Sequence, residues 1–489
     1  MAVVHLARQR DLGRLAALKE LAGLNADDPS FAERFLREAR VAGSLNHESA
    51  RAGRARPARR RPRRPCPPAG ARSGQPGRDA PAASHLSARS YMDTWVPGTQ
   101  TAYMSSELHE VVAALPLAEL RIVEHESALA AFVGLAPAGP LDRAVRVESF
   151  EEFAATFGDP AQPLPGPYLA GGKLAHAVRG FFRNGGHVCW VARAAGAAGT
   201  ATVDAHLDAG AGLRLLAALD EPTIIAAPDA HGLAGGAQSA ALVQRELVRV
   251  CERVVGRIAL VDPPSGLDAP AALGWRDDSH IDSPSAAAYY PWVVVSDPAT
   301  GQSTEAPPCG HASGLWARVD ERMGPHQAPT AEVVLATDGP AGDLSATEQH
   351  QLNRAGINCL RAWPGPELRA WGACTMSSDP ELRYLHRHRI VGHLAASIAQ
   401  GIRWAAEEPN DAGLHDRLRT VIGAYLNQAW RAGALQGDAP AQAYFVRCDG
   451  ELNDEQARAG GDVIVEVGLS VRRAGDFRVL RIAHHDLLA

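Results

Sequence analysis

The chain has 489 residues, of which 46% are hydrophobic, and its 49 basic and 55 acidic side chains give a formal charge of −6. Residues 1–47 carry +1 and residues 48–95 carry +8, from 11 Arg against 3 acids, which leaves −15 on residues 96–489 and argues against nucleic acid as a partner of the body. The length exceeds the roughly 250–300 residues at which single cores stop growing, so several domains are expected, and without a run of about 18 apolar residues no spanning helix is.

At the N-terminus, Val3–Arg10 alternates like a strand, Asp11–Arg14 reads as a turn, and Leu15–Leu21 can form a second strand. A helix should follow Asp27, Asp28 and Pro29, with Phe31, Phe35, Leu36 and Ala39 on its apolar face. HLARQRDLGRLAALKEL and FAERFLREARVAGSLNH together resemble the small lobe of a bacterial protein kinase of the eukaryotic type. That resemblance implies ATP-site positions at Lys19, one of only two lysines in the chain, and at Glu38 on the helix. No Gly-rich loop precedes Met1 and neither H-R-D-x-x-x-x-N nor D-F-G follows, so residues 1–47 are expected to be an inactive remnant. Residues 48–95 are Arg, Pro, Ala and Gly with few larger apolar groups, the composition of a disordered linker. Its Arg59, Arg60, Arg61, Arg63 and Arg64 suit an acidic partner or simply solvation, which leaves an Arg-rich nucleic-acid binder as an alternative reading. The charged start MAVVHLARQRDLGR is unlike a signal peptide, and a cytoplasmic location is expected.

Past Trp95 the composition becomes globular. Ser127–Leu135 reads as a buried strand, Val145 and Val147 as a short one, and Phe150, Phe153 and Phe157 as one face of a helix starting near Ser149. Tyr168–Phe182 should be a helix stopped by Asn184-Gly185-Gly186, followed by a strand over His187–Arg193. Next come a strand at Glu221–Ala227, a helix at Ser239–Val255 with Leu242, Leu247, Val250 and Val254 on one side, and strands at Arg257–Val261 and Ala288–Ser296. This α/β rhythm predicts a parallel sheet. Asp229 and Asp262 follow strand ends, where ligands often sit, but with no apparent second partner they read as turn residues.

Few residues look catalytic. PPCGHASGLWAR, residues 307–318, reads as a Gly-rich turn opening a helix but matches no phosphate-binding fingerprint. Cys309 and His311 are two apart with no third group to orient them, and no G-x-S-x-G occurs. His386, His388 and His393 are not all on one helical face and read as solvated. Seven cysteines without a C-x-x-C pair suggest reduced thiols rather than a zinc or disulfide framework. No enzyme activity, metal or cofactor is expected.

Toward the C-terminus, Asp411–Arg431 should be a helix with Leu414, Leu418, Ile422, Tyr425 and Leu426 inward, leaving Arg417, Arg419 and Arg431 available. Val463–Val471 and Phe477–Ile482 alternate as two strands, the second almost at the chain end, where it is either a connector or the edge of an intrachain hairpin.

An ordered set of stretches resembles the tail sheath protein of contractile phages and phage-like injection systems. It runs from AAFVGLAPAGPLDRAVRVESFEEFAATFG through LAHAVRGFFRNGGHVCWVAR and AAAYYPWVVVSDP to EPNDAGLHDRLRTVIGAYLNQAWRAGALQGDAPAQAYFVRCD, over about residues 125–485. The resemblance implies a multi-domain α/β protein: a sheath N-terminal region at 96–205, a subtilisin-like α/β domain at 206–365 and an α+β C-terminal domain at 366–489. It implies stacked hexameric rings around an inner tube protein, with baseplate and tail-terminator proteins as further partners and no membrane insertion. It also implies linking strands between subunits, here Val463, Val465 and Val467 with Phe477, Val479 and Ile482, and makes Arg417, Arg419 and Arg431 candidates for the tube or a neighbouring subunit. The family's incoming arm strand is represented only by the polar Pro97–Tyr103.

Overall fold

The apolar runs of the body become the buried strands of one large sheet. The computed structural model describes residues 2–8, 15–21, 120–159, 166–207, 212–298 and 300–485, and the chain divides into units at 1–97 and 98–489. In the first unit, β1 (Ala2–Arg8) pairs antiparallel with β2 (Leu15–Leu21), with Val4 opposite Lys19. Glu38, the segment 48–95 and Pro97–Tyr103 lie outside the described residues.

The second unit is built on an eight-stranded sheet. Its strands are β3 (Ala130–Leu135), β4 (Val145–Val147), β5 (Cys189–Ala194), β6 (Ile224–Ala226), β7 (Ile258–Val261) and β8 (Ala286–Tyr290), while β9 (Val293–Ser296), β10 (Ser303–Ala306) and β11 (Gly339–Pro340) form a separate small sheet. β12 (Ile357–Ala362) and β13 (Leu368–Trp371) complete the large sheet in the order β13-β12-β8-β7-β6-β3-β5-β4. The six inner strands run parallel and the two outer ones antiparallel. One sheet therefore takes strands from both sides of residue 205 and extends past residue 365, so neither predicted boundary separates two cores. Ala288–Ser296 is not one strand but two: Pro291 has no N–H to continue a ladder, and the chain leaves the large sheet there.

Helices cover both faces. On one lie α1 (Phe150–Phe157) and α2 (Leu174–Arg183); on the other lies α3 (Gly236–Glu252), with one-turn helices at Val203–Leu207 and Leu213–Ala217. α4 (Ala269–Asp278) and α6 (Ala346–Arg354) pack near the β12 end, and α5 (Cys309–Met323) joins α2. Alternation along β3 sends Ala130 and Phe132 to the first face and Ala131, Val133 and Leu135 to the second. Each fully buried Phe or Leu contributes about 1.5–3 kcal/mol of transfer free energy. Two details depart from the periodicity. α2 begins at Leu174 rather than Tyr168, behind Gly171 at φ +74°. In α3 the buried stripe is Val243, Leu247, Val250 and Cys251, while Leu242 is exposed.

The glycines of the 307–318 segment belong to α5 and serve packing. A Cβ on Gly310 would meet the Ala177 carbonyl at 2.2 Å, and one on Gly314 the Phe181 carbonyl at 2.2 Å. Being four apart, they form a stripe that lets α2 and α5 approach backbone to backbone, so the segment is no phosphate cradle.

The C-terminal part holds α7 (Leu385–Gly401), α8 (Ala412–Arg431), and the strands β14 (Tyr444–Arg447), β15 (Asp462–Leu469) and β16 (Arg478–His485). The Asp411 carboxylate caps α8 by accepting from Leu414 N–H at 2.9 Å. Leu414, Leu418, Ile422, Tyr425 and Leu426 then meet Val463, Val465, Val467 and Ile482 in a second core.

Candidate assembly surface

The carboxyl ends of the parallel strands are the first place to look for chemistry. Asp229, after β6, is buried and accepts hydrogen bonds from Leu135 N–H at 2.7 Å and Lys173 N–H at 2.5 Å. Asp262, after β7, is buried as well and accepts from Cys309 N–H at 3.0 Å, while its carbonyl bonds Gln244 and the His231 ring at 2.6 Å each. Burial raises Asp229 to about 6 and Asp262 to about 7. Lys173 Nζ bonds the Glu305 carbonyl at 2.6 Å and lies 5.9 Å from the Trp292 ring, and burial lowers its pKa. The two aspartates are thus not plain turn residues: they tie β3 to α2 and β7 to α5.

The cysteine and histidine candidates are equally inward. Cys309 is fully buried and its thiol pushed well up by burial and by Asp262, the opposite of an activated nucleophile. His311 is buried against α2, and burial lowers it to about 4. His388 and His393 are buried too, and burial lowers each of the three α7 histidines to about 4, so the solvated reading fails. Among the described residues no group of three or more His, Cys, Asp or Glu is placed to hold a metal ion, and no helix is long and apolar enough to cross a membrane.

The sheet edges differ in a way that matters for association. β13 is covered from outside by residues 331–334, through Ala331 N–H to the Ala370 carbonyl at 2.6 Å and Val334 N–H to the Leu368 carbonyl at 2.8 Å. β4 is an edge of three residues only. β16 is an eight-residue edge strand, paired on one side with β15 from Asp462↔His485 to Leu469↔Arg478 and on the other with no described strand. Val463, Val465 and Val467 sit on the central strand with their side chains in the core, so they offer no free edge. Ile482 is buried, Phe477 meets Phe445 edge to face at 5.2 Å, and Val479 is 53% exposed. Gly468 makes room for that aromatic pair, since a Cβ there would lie 2.0 Å from the Phe445 ring.

Of the three arginines proposed for outside contacts, two are used inside the chain. Arg417 pairs with Glu408 at 2.8 Å and stacks 5.4 Å from the Trp404 ring; Arg419 bonds the Cys448 carbonyl and Asp416. Arg431 is exposed. The spacing missed a buried pair, Arg389 with Asp320, whose partners are 69 positions apart and carry no local signal.

Sequence comparison matches residues 199–376 to the family of the phage tail sheath protein central domain. The helical sheath of the anti-feeding prophage in its contracted state superposes with a TM-score of 0.57 at 26% identity, covering 74% of this chain and 94% of that one. The fold is that of a contractile-sheath subunit. A chain of the extracellular contractile injection system PVC sheath complex, also contracted, gives a TM-score of 0.59 at 23% identity, over 79% of this chain and 97% of its own. A predicted prophage major tail sheath protein of Pseudomonas aeruginosa (strain UCBPP-PA14) is 27% identical over 212 residues, 42% of this chain. The chain spans about half the length, 52%, of that curated relative.

Proposed function

We propose that this chain is a structural subunit of a contractile tail sheath, which polymerises as stacked hexameric rings around an inner tube and contracts to drive the tube through a target envelope. The observation that carries this reading is the alignment with sheath chains, which takes in nearly the whole of theirs and three quarters of this one. The subunit performs no catalysis in this reading and needs no cofactor; the buried strand-end cluster supports that, being built as a staple. The α/β layer, six parallel strands between helices, is read as the subtilisin-like middle domain. Inner tube, baseplate and tail-terminator proteins are its partners, and the particle assembles in the cytoplasm.

Linkage between subunits falls to the β16 edge. Backbone N–H and C=O groups on its open side give a neighbour's strand its affinity, and Val479 with its alternating neighbours gives the register. Residues 1–47 remain a kinase-like remnant in this proposal, with Lys19 on β2. Electron microscopy of the full chain, co-produced with its inner tube protein, tests the assembly. Ring stacks or hollow tubes are expected; dispersed single copies at every protein ratio would sink the proposal.

A further inference from the structure

The helix α7 joins the two cores. Its Ile390, Leu394 and Ile398 point into the C-terminal core, while Arg389, Gly392, His393 and Ser397 face the sheet-bearing part and the segment 120–129 that runs between them. The contact is close: a Cβ on Gly392 would lie 2.1 Å from the Gly256 Cα, and His125 N–H donates to Ser397 Oγ at 2.9 Å. Ile122, on the same segment, packs against the C-terminal core.

At the centre of this junction Arg389 and Asp320 form an ion pair with side chains only 3% and 4% exposed. Arg389 Nη1 donates to Asp320 Oδ1 at 3.0 Å, Ser127 Oγ donates to Asp320 Oδ2 at 2.6 Å, and the guanidinium lies 4.8 Å from the Trp316 ring. One turn on, His393 is buried with no hydrogen-bond partner at Nδ1 among the described residues. It faces Asp320 and Glu321 of α5, Glu124, His125 and Glu126 of the 120–129 segment, Arg389 of its own helix, His187 ahead of β5, and Asp220 and Arg257 beside β6 and β7. Glu321 and His187 pair with each other at 3.2 Å in solvent, and the Arg257 guanidinium is taken up by the carbonyls of Pro222, Leu219 and Asp220. The one buried carboxylate, Asp320, is already balanced by Arg389.

We infer that the junction of α7 with the segment 120–129 is an acid-released latch, in which a proton on His393 adds a second cation beside Arg389 and frees the hairpin-bearing C-terminal part from the sheet. A second buried cation without its own carboxylate is too costly to hold, so the closed form gives way to one in which His393 meets water. Burial depresses His393 from 6.5 to about 4, which agrees with a closed form that excludes the proton. The inference stands apart from the sheath assignment, since it concerns the single chain.

Hydrogen exchange on the full chain, corrected for intrinsic exchange, tests it. Protection of 120–129 and α7 should fall by up to about tenfold per pH unit between pH 6.5 and 4, and further than that of β3, β6 and β7. His393→Gln should remove the fall in 120–129 and leave in α7 only the part that His388 contributes, whereas His206→Gln, at a buried histidine of Val203–Leu207 that does not line the junction, should leave the fall in place. The latch is refuted if the junction and the sheet lose protection together, if neither changes, or if His393→Gln responds like the parent. Should His393→Gln fail to fold at pH 7.5, the parent's junction-to-sheet comparison decides alone.

Discussion

Replacing Arg389 by alanine leaves the Asp320 carboxylate, 4% exposed, with the Ser127 hydroxyl as its remaining partner among those described above, and it removes the guanidinium from the Trp316 ring. Breaking a buried pair in this way costs about 3–5 kcal/mol. The Ser127 carbonyl, which Arg389 also reaches at 3.3 Å, keeps the Thr223 hydroxyl at 3.0 Å, so no further orphan is created there. Removing both charges should therefore cost far less than the sum of the parts. Asp320→Leu combined with Arg389→Met should return to within about 2 kcal/mol of the parent, because neither partner is left as an uncompensated charge. Urea denaturation followed by far-UV circular dichroism measures both, read as midpoint shifts at an unchanged slope. A single-variant loss below about 1 kcal/mol, or a double variant as unstable as the two singles added, would refute the claim that this pair holds the junction.

Other outcomes follow from the same geometry. Gly468→Val should destabilise the C-terminal sheet by at least about 1–3 kcal/mol through overpacking against Phe445, measured by thermal melting. Val479→Lys should leave the melting temperature nearly unchanged, since the residue is half exposed, yet abolish ring or tube formation in electron micrographs; intact tubes would remove β16 from the linkage. The buried histidines His176, His206, His311, His388 and His393, each lowered by burial to about 4, contribute stability that is present above pH 6.5 and lost as pH falls toward 4. Asp229 and Asp262, raised by burial to about 6 and about 7, act in the opposite sense: their contribution is full below about pH 4 and is lost as pH rises through 6 to 7, so Asp262→Asn should remove part of the decline of the urea midpoint between pH 4 and 7.

Much of the architecture was legible in the order of residues. Val145–Val147, Phe150–Phe157, the inward face of α8 and the two terminal strands come out as their spacing implies, because period and burial coincide wherever one element packs against one surface. The same rule misplaced Leu242, since α3 packs along a stripe set by its neighbours and not by hydrophobicity alone. The α/β class and the sheath resemblance also follow from local pattern in chain order.

What pattern could not reach were the pairings across the chain. Asp229 reads as a turn former until Leu135 and Lys173 are brought to it, Gly310 and Gly314 read as a loop until α2 lies against them, and Arg417 reads as a free charge until Glu408 and Trp404 close on it. Likewise Val463, Val465 and Val467 alternate as an edge strand would, and only the pairing of β15 on both sides makes them core and leaves β16 at the edge among the described strands. Local order determined the elements and their faces because those depend on neighbours a few positions away. Tertiary structure decided which polar groups are spent within the chain and which described strand lies at the edge of its sheet, because desolvation and strand pairing depend on residues that sequence distance does not rank.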